Sequence, residues 1–178
     1  VKAGATLTIA PGTTVYANAV DSGFSAGTTC TPGACTSANK CVYIENDCKP
    51  FTTVLVVEQG ATINAAGTAA QPITFTANAA ASDLSSDATT VTDTATGLVT
   101  THGTRGNWGG LIILGNAPVK GGTANIEGLV DNKPYGGTQS TDSSGVLQYV
   151  RVWHGGASIA ADNEINGITF GGVGSGTI

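Results

Sequence analysis

The strongest constraint on this chain is a repeated phrase: a short β-branched run, a glycine corner, then another short run. It is clearest from Val54 to Asn78, VLVVEQGATINAAGTAAQPITFTAN. In that stretch Val54, Val56, Ile63, Ile73 and Phe75 fall on one period-2 apolar face, and Thr74 and Thr76 fall on the other. Helical spacing is missing from it. The same phrase opens the chain as GATLTIAPGTTVYA, so Gly4-Ala5-Thr6 and Gly60-Ala61-Thr62 mark equivalent corners. Looser versions follow at Trp108 to Val119, Gly145 to Gly156 and Glu164 to Ile178. A strand–corner–strand unit recurring at roughly 20–25 residues is the pattern of a β-solenoid. Each turn of such a chain pairs its backbone with the turns above and below, which makes the sheets parallel.

The totals agree with that reading. Gly is 26 of 178 residues, about twice its usual share, and it sits at strand ends rather than in a triplet repeat. One domain accommodates this length. A net charge of −5 offers nothing to attract nucleic acid or an anionic membrane. No run approaches the ~18 apolar residues that span a bilayer. The chain lacks Met and both ends fall inside repeat units. The expectation is therefore an excised segment of a longer chain, or one that stacks end-to-end with its own copies, because open strand edges recruit partners.

In order, residues 1–17 give a first coil with Leu7, Ile9 and Val15 inward. Three excursions interrupt the pattern, at 18–52, 79–107 and 120–143; the remaining residues suffice for about five coils. The first excursion holds all four cysteines, Cys30, Cys35, Cys41 and Cys48. An even number within one Gly/Pro-rich loop reads as two local disulfides in an oxidising compartment, Cys30–Cys35 with Cys41–Cys48 being the simplest pairing. A four-thiolate zinc site is the rival, but the paired short spacings typical of zinc are missing. The second excursion is rich in Ser, Thr and Asp. Its Asp83, Asp87 and Asp93 lack the dense spacing of a calcium loop, and solvated carboxylates are the simpler reading. Leu111 to Leu114, bounded by Gly109-Gly110 and Gly115-Asn116, reads as a strand buried on both faces. The third excursion is polar. Inward positions expected overall include Val56, Ile63, Ile73, Phe75, Ile113, Tyr149, Val152 and Phe170.

With these repeats laid out, the chain resembles the right-handed parallel β-helix proteins, and within them large secreted or surface-anchored bacterial members of mostly unassigned function. GATLTIAPGTTV, LVVEQGATINAAGTAAQPITFTA, GNWGGLIILGNAPV, SGVLQYVRVWHGG and NEINGITFGGVGSGTI carry the resemblance. It implies an all-β, right-handed parallel β-helix at the cell surface or outside the cell, with coils continuing past GGVGSGT. The cysteine loop departs from the group.

The same fold hosts pectate lyases and polygalacturonases, whose sites place carboxylates and an Arg on one outer sheet face. Here the candidates for such a site are Asp142, Arg151, His154, Asp162 and Glu164. Asp162, Asn163 and Glu164 form the best oxygen cluster for a structural calcium, although a turn bonding its own backbone needs no ion. His154 reads as a half-buried imidazole bonding corner backbone, His102 as a solvated loop residue. Trp153 faces away from Val152; near Tyr135 it has the chemistry to stack a sugar ring, though packing beneath a neighbouring loop is the simpler reading. No lyase or hydrolase signature is present, and no other cofactor is implied. The expectation is a non-catalytic stem that presents loops for adhesion, glycan contact or self-assembly; a polysaccharide lyase or glycoside hydrolase is the alternative. A groove with two carboxylates and an Arg on one sheet separates the two.

Overall fold

The computed structural model describes residues 1–18, 41–44, 47–50, 53–78, 89–92, 99–102, 106–129, 131–160 and 163–178. Among these residues every regular element is a strand. The chain runs through β1 (Thr6–Thr8), β2 (Thr14–Asn18), β3 (Cys41–Ile44), β4 (Asp47–Pro50), β5 (Val54–Val57) and β6 (Thr62–Ala66). It continues through β7 (Ile73–Asn78), β8 (Thr89–Thr92), β9 (Val99–His102), β10 (Gly110–Leu114), β11 (Ala124–Asn125) and β12 (Pro134–Tyr135). β13 (Gly145–Gln148), β14 (Val150–Val152), β15 (Ser158–Ala160), β16 (Asn163–Glu164) and β17 (Ile168–Gly171) complete it.

Three parallel sheets, each of three described strands, form the body. The first is β1-β6-β13, the second β2-β7-β14 and the third β5-β10-β17. A level of the helix therefore visits the third, first and second sheets in turn, and the next level lies directly upon it. This is a parallel β-helix. Each described sheet is three strands deep, where repeat counting suggested about five coils: the units at Trp108 and at Gly145, counted separately there, supply one level between them. Ile178 begins a further level by donating its N–H to the Gly145 carbonyl (3.0 Å) and accepting from Leu147 (2.7 Å).

Stacking in register puts like upon like. Leu7 lies on Ile63, Val15 and Val152 lie on either side of Phe75, and Val57 lies on Ile113. Ile63, Ile73, Phe75, Leu111 and Ile113 are buried in one central core, with Leu7, Val15, Leu147, Val150 and Val152 packed against it. At roughly 1.5–3 kcal/mol for each large side chain removed from water, this column supplies most of the fold's stabilisation. Outward positions on the first sheet carry Thr6, Thr8, Thr62, Asn64 and Gln148, polar side chains suited to a solvated face, with half-buried Ala66 and Val146 among them.

At β5 the expected parity is reversed. Leu55 and Val57 face the central core, and Val54 and Val56 pack outward on Ile112 and Leu114. All four residues of this strand are apolar, so alternation gave no handle; burial on both faces decides. Tyr149 was also expected inside but is 61 % exposed, at a positive φ of 47° in the corner between β13 and β14. Phe170 stands in register with Ile113 yet is 53 % exposed, since β17 is the edge strand of its sheet.

The third excursion is more than a polar loop. Its hairpin β11–β12 lays Ile126, Leu129 and Tyr135 over the outward side of β10, and Ile165 joins them in a second small core with Ile112 and Leu114. Two glycines make the docking feasible. A Cβ at Gly171 would come within 2.7 Å of the Tyr135 ring, and one at Gly172 within 2.6 Å of the Gly136 nitrogen. This covering is why Gly110 to Leu114 are buried throughout. The first and second excursions contain the antiparallel hairpins β3–β4 and β8–β9. Cys30, Cys35, Asp83, Asp87 and Asp93 lie outside the described residues. Of Cys41 and Cys48 the backbone alone is described, with Cys41 opposite Pro50 and Cys48 opposite Tyr43.

Candidate functional site

The second sheet has the one outward face where exposed aromatic and cationic side chains meet among the described residues. Because Val15, Phe75 and Val152 point to the core, their neighbours point outward, although Thr74 and Thr76 of the central strand are buried. Thr14, Thr74 and Arg151 form one row in register, and Tyr16 lies beside Thr76 in the next. Trp153 follows Val152 and donates its N–H to the Phe75 carbonyl (2.9 Å), which places it at the level of Thr76. Tyr16 is 64 % exposed and Trp153 49 %. The Arg151 guanidinium lies 5.9 Å from the Trp153 ring centre, a cation–π contact.

The backbone beneath Trp153 is tied down closely. Buried Trp108 donates its indole N–H to the Trp153 carbonyl (2.8 Å), and Asn107 N–H donates to His154 O (2.9 Å). Gly106 N–H bonds to Gly155 O, and Gly156 N–H to Gly109 O. His154 itself adopts φ 60°, unusual for a residue with a Cβ, and its Nδ1 shares a 2.8 Å hydrogen bond with the Thr76 hydroxyl. The half-buried imidazole thus bonds a side chain of the neighbouring level.

The other candidates lie elsewhere. Asp142 sits on the connection between the third and first sheets, taking hydrogen bonds from Asn116 Nδ2 and Ser144 Oγ, each at 3.3 Å. Its role there is to clasp a corner. No ion pair joins it to Arg151 among the described residues. Asp162 lies outside the described residues, while Asn163 and Glu164 form β16, paired with β15. Among the described residues no group of three or more His, Cys, Asp or Glu is placed to hold a metal ion. Tyr135, expected beside Trp153, instead packs on Gly171 of the third sheet. A groove of about 310 Å³ opens between that hairpin and β17, with Glu127 its one carboxylate. Among the described residues, no strand of the three parallel sheets contributes a carboxylate to an outward face.

Residues 89–178 match the family described as pectate-lyase like beta helix domain. The chain belongs to that family. No curated protein and no solved structure matches it. No helix among the described residues is long and apolar enough to cross a membrane. Membership accounts for the stacked parallel sheets, while function rests on this member's own faces. Tyr16 and Trp108 were not singled out in the sequence. Tyr16 was findable: an aromatic directly after inward Val15 must point to water. Trp108 was not, since its partner is a carbonyl 45 residues away.

Proposed function

We propose that this β-helix is a non-catalytic extracellular or cell-surface stem that contacts glycan through the outward face of its second sheet. The observation that carries the reading is the pairing of exposed Tyr16 and Trp153, with Arg151, on a rigid sheet that carries no described carboxylate. Aromatic faces stack on the C–H faces of sugars, and the guanidinium donates hydrogen bonds to hydroxyl or carboxylate oxygens. Neither contact needs a general acid or base. The four cysteines within residues 30–48 support an oxidising location.

The test is affinity electrophoresis of the 178-residue chain in gels containing a panel of neutral and acidic polysaccharides. The same mixtures are assayed for new reducing ends and unsaturated sugar products. The expected result is retardation without product, lost in Trp153→Ala. Product formation abolished by Arg151→Ala or His154→Ala would replace the stem with an enzyme, and mobility unchanged in every gel removes glycan contact.

A further inference from the structure

We propose that the third sheet carries a sugar site of its own, separate from the second-sheet face. The site is the groove of about 310 Å³ between the hairpin β11–β12 and β17, and it takes a single neutral sugar ring. The register shows why an opening lies there. Val56, Ile112 and Thr169 form one outward row across β5, β10 and β17. Two aliphatic members are thus followed by a threonine on the edge strand. The hairpin covers the aliphatic part with Ile126, Leu129 and Tyr135. Tyr135 reaches β17 at Gly171, and the groove opens next to that contact, over Thr169. The row turns polar where the opening begins.

Floor and rim differ in chemistry. Ile112 and Ile165, both buried, lie at the floor, and Tyr135 supplies an aromatic wall. Such a surface receives the C–H face of a sugar. Asn125, Glu127 and Asn166 are exposed at the rim, and Thr169 belongs to the same lining. A carboxamide donates and accepts at once, so it matches adjacent sugar hydroxyls, and a carboxylate accepts from two of them. Among the described residues none of these four side chains has a hydrogen-bond or ion-pair partner, which leaves their capacity to a ligand. The volume is at the low end for small-molecule sites, which suits one ring rather than a chain.

Charge selects among sugars. The lining holds one carboxylate and neither Lys nor Arg. A uronate or sulfated ring would meet Glu127 with no cation to offset the repulsion, and a neutral ring escapes it. The second-sheet face, with Arg151, has the opposite bias.

The test is a titration of the isotope-labelled chain, followed by its backbone amide resonances. The probes are the methyl glycosides of glucose, galactose, mannose and N-acetylglucosamine, with that of glucuronic acid as the charged control. At least one neutral glycoside should saturably shift the amides of residues 125–127 and 165–170. The glucuronide should bind at least about tenfold more weakly. Thr169→Leu extends the aliphatic row into the groove, and Asn166→Ala removes a rim carboxamide; each should weaken the neutral sugar about tenfold. Circular dichroism checks that both variants are folded. Glu127→Lys should reverse the order and favour the glucuronide, while Trp153→Ala, on the other face, should leave the groove's affinity unchanged. A glucuronide that binds the wild-type groove as tightly as the neutral sugars overturns the neutral assignment. Wild-type affinity in Thr169→Leu, or no shift of a groove amide at tens of millimolar sugar, overturns the site. Shifts confined to amides around Arg151 and Trp153 overturn the groove and leave the second-sheet reading standing.

Discussion

The first and third sheets of this β-helix share a core and a stacking rule, yet their outward faces have opposite fates. The first sheet turns Thr, Asn and Gln to water and needs no cover. The third turns Val54, Val56, Ile112 and Leu114 outward, and the hairpin that follows β10 seals them with Ile126, Leu129 and Tyr135. One sheet is finished by its own residues and the other by a borrowed layer. A parallel sheet is stable either way, provided its outward side chains match what lies beyond them. The second sheet stands between these cases. Thr74 and Thr76, outward on its central strand, are buried, while Tyr16 on one flanking strand and Trp153 just past the other are exposed where the first sheet exposes threonines.

The comparison can be broken hardest from within the shared core. Ile73→Asp places an unpaired carboxylate at a position with no exposure and should unfold the described sheets together, by more than about 4 kcal/mol. Chemical denaturation measures it; unchanged midpoint would mean that the inward register is wrong. Next is the contrast itself. Ile112→Ala, outward on the third sheet, should cost about 2–5 kcal/mol, while Asn64→Ala, outward on the first, should stay within about 0.5 kcal/mol. Equal costs at the two sites would erase the distinction between a sealed face and a bare one.

Gly171→Ala sharpens it further. The added methyl meets the Tyr135 ring and the Leu114 side chain, so the hairpin must lift at a cost of about 1–3 kcal/mol. Hydrogen exchange should accelerate in residues 124–135 and leave the first sheet's amides unaltered; acceleration spread evenly over both would show that the cover is not a separate layer.

The smallest effect concerns the ion cluster where this cover meets the corner of the third sheet. Glu58 takes hydrogen bonds from Lys2 (2.8 Å) and Lys133 (3.0 Å), which hold its carboxyl below the usual carboxylate range. A group held below its ordinary value stabilises the fold above that value, and the contribution is lost as pH falls through the lowered one. The Glu58 hydrogen bond raises Lys2 in turn, so the same contact fails again at strongly alkaline pH. Glu58→Gln should therefore melt slightly below the wild type at neutral pH, with the gap closing in acid. A gap that widens in acid would reverse the assignment. The effect is modest because the cluster is open to solvent.

Much of the architecture was readable in advance. Ile63, Ile73 and Phe75 declared their inward parity by alternating with Asn and Thr, and Leu111 to Leu114 declared burial on both faces by having no polar member. Where alternation was missing, the parity was open: in VLVV the two choices differ only in which apolar layer each residue joins. Tyr149 was misread because one corner residue at positive φ interrupts the count between β13 and β14. The functional face was half legible. Trp153 and Arg151 were visible as outward residues beside Val152, but Tyr16 lies 137 positions before Trp153, and no local pattern joins them.

What the sequence by itself determined is the periodic part: short β-branched runs between glycine corners can bury an apolar face only by stacking on themselves, so a parallel β-helix follows from local chemistry. Tertiary structure alone decided which runs stack upon which. That choice set Tyr16 and Trp153 two strands apart on one face, drew Trp108 beneath Trp153, and laid Tyr135 on a glycine of the third sheet. The physical reason is that ladder hydrogen bonds are the same for every residue type and carry no address. Register comes from the total length of each connection and from the fit of side chains across levels, quantities that exist only once the chain has closed its turns.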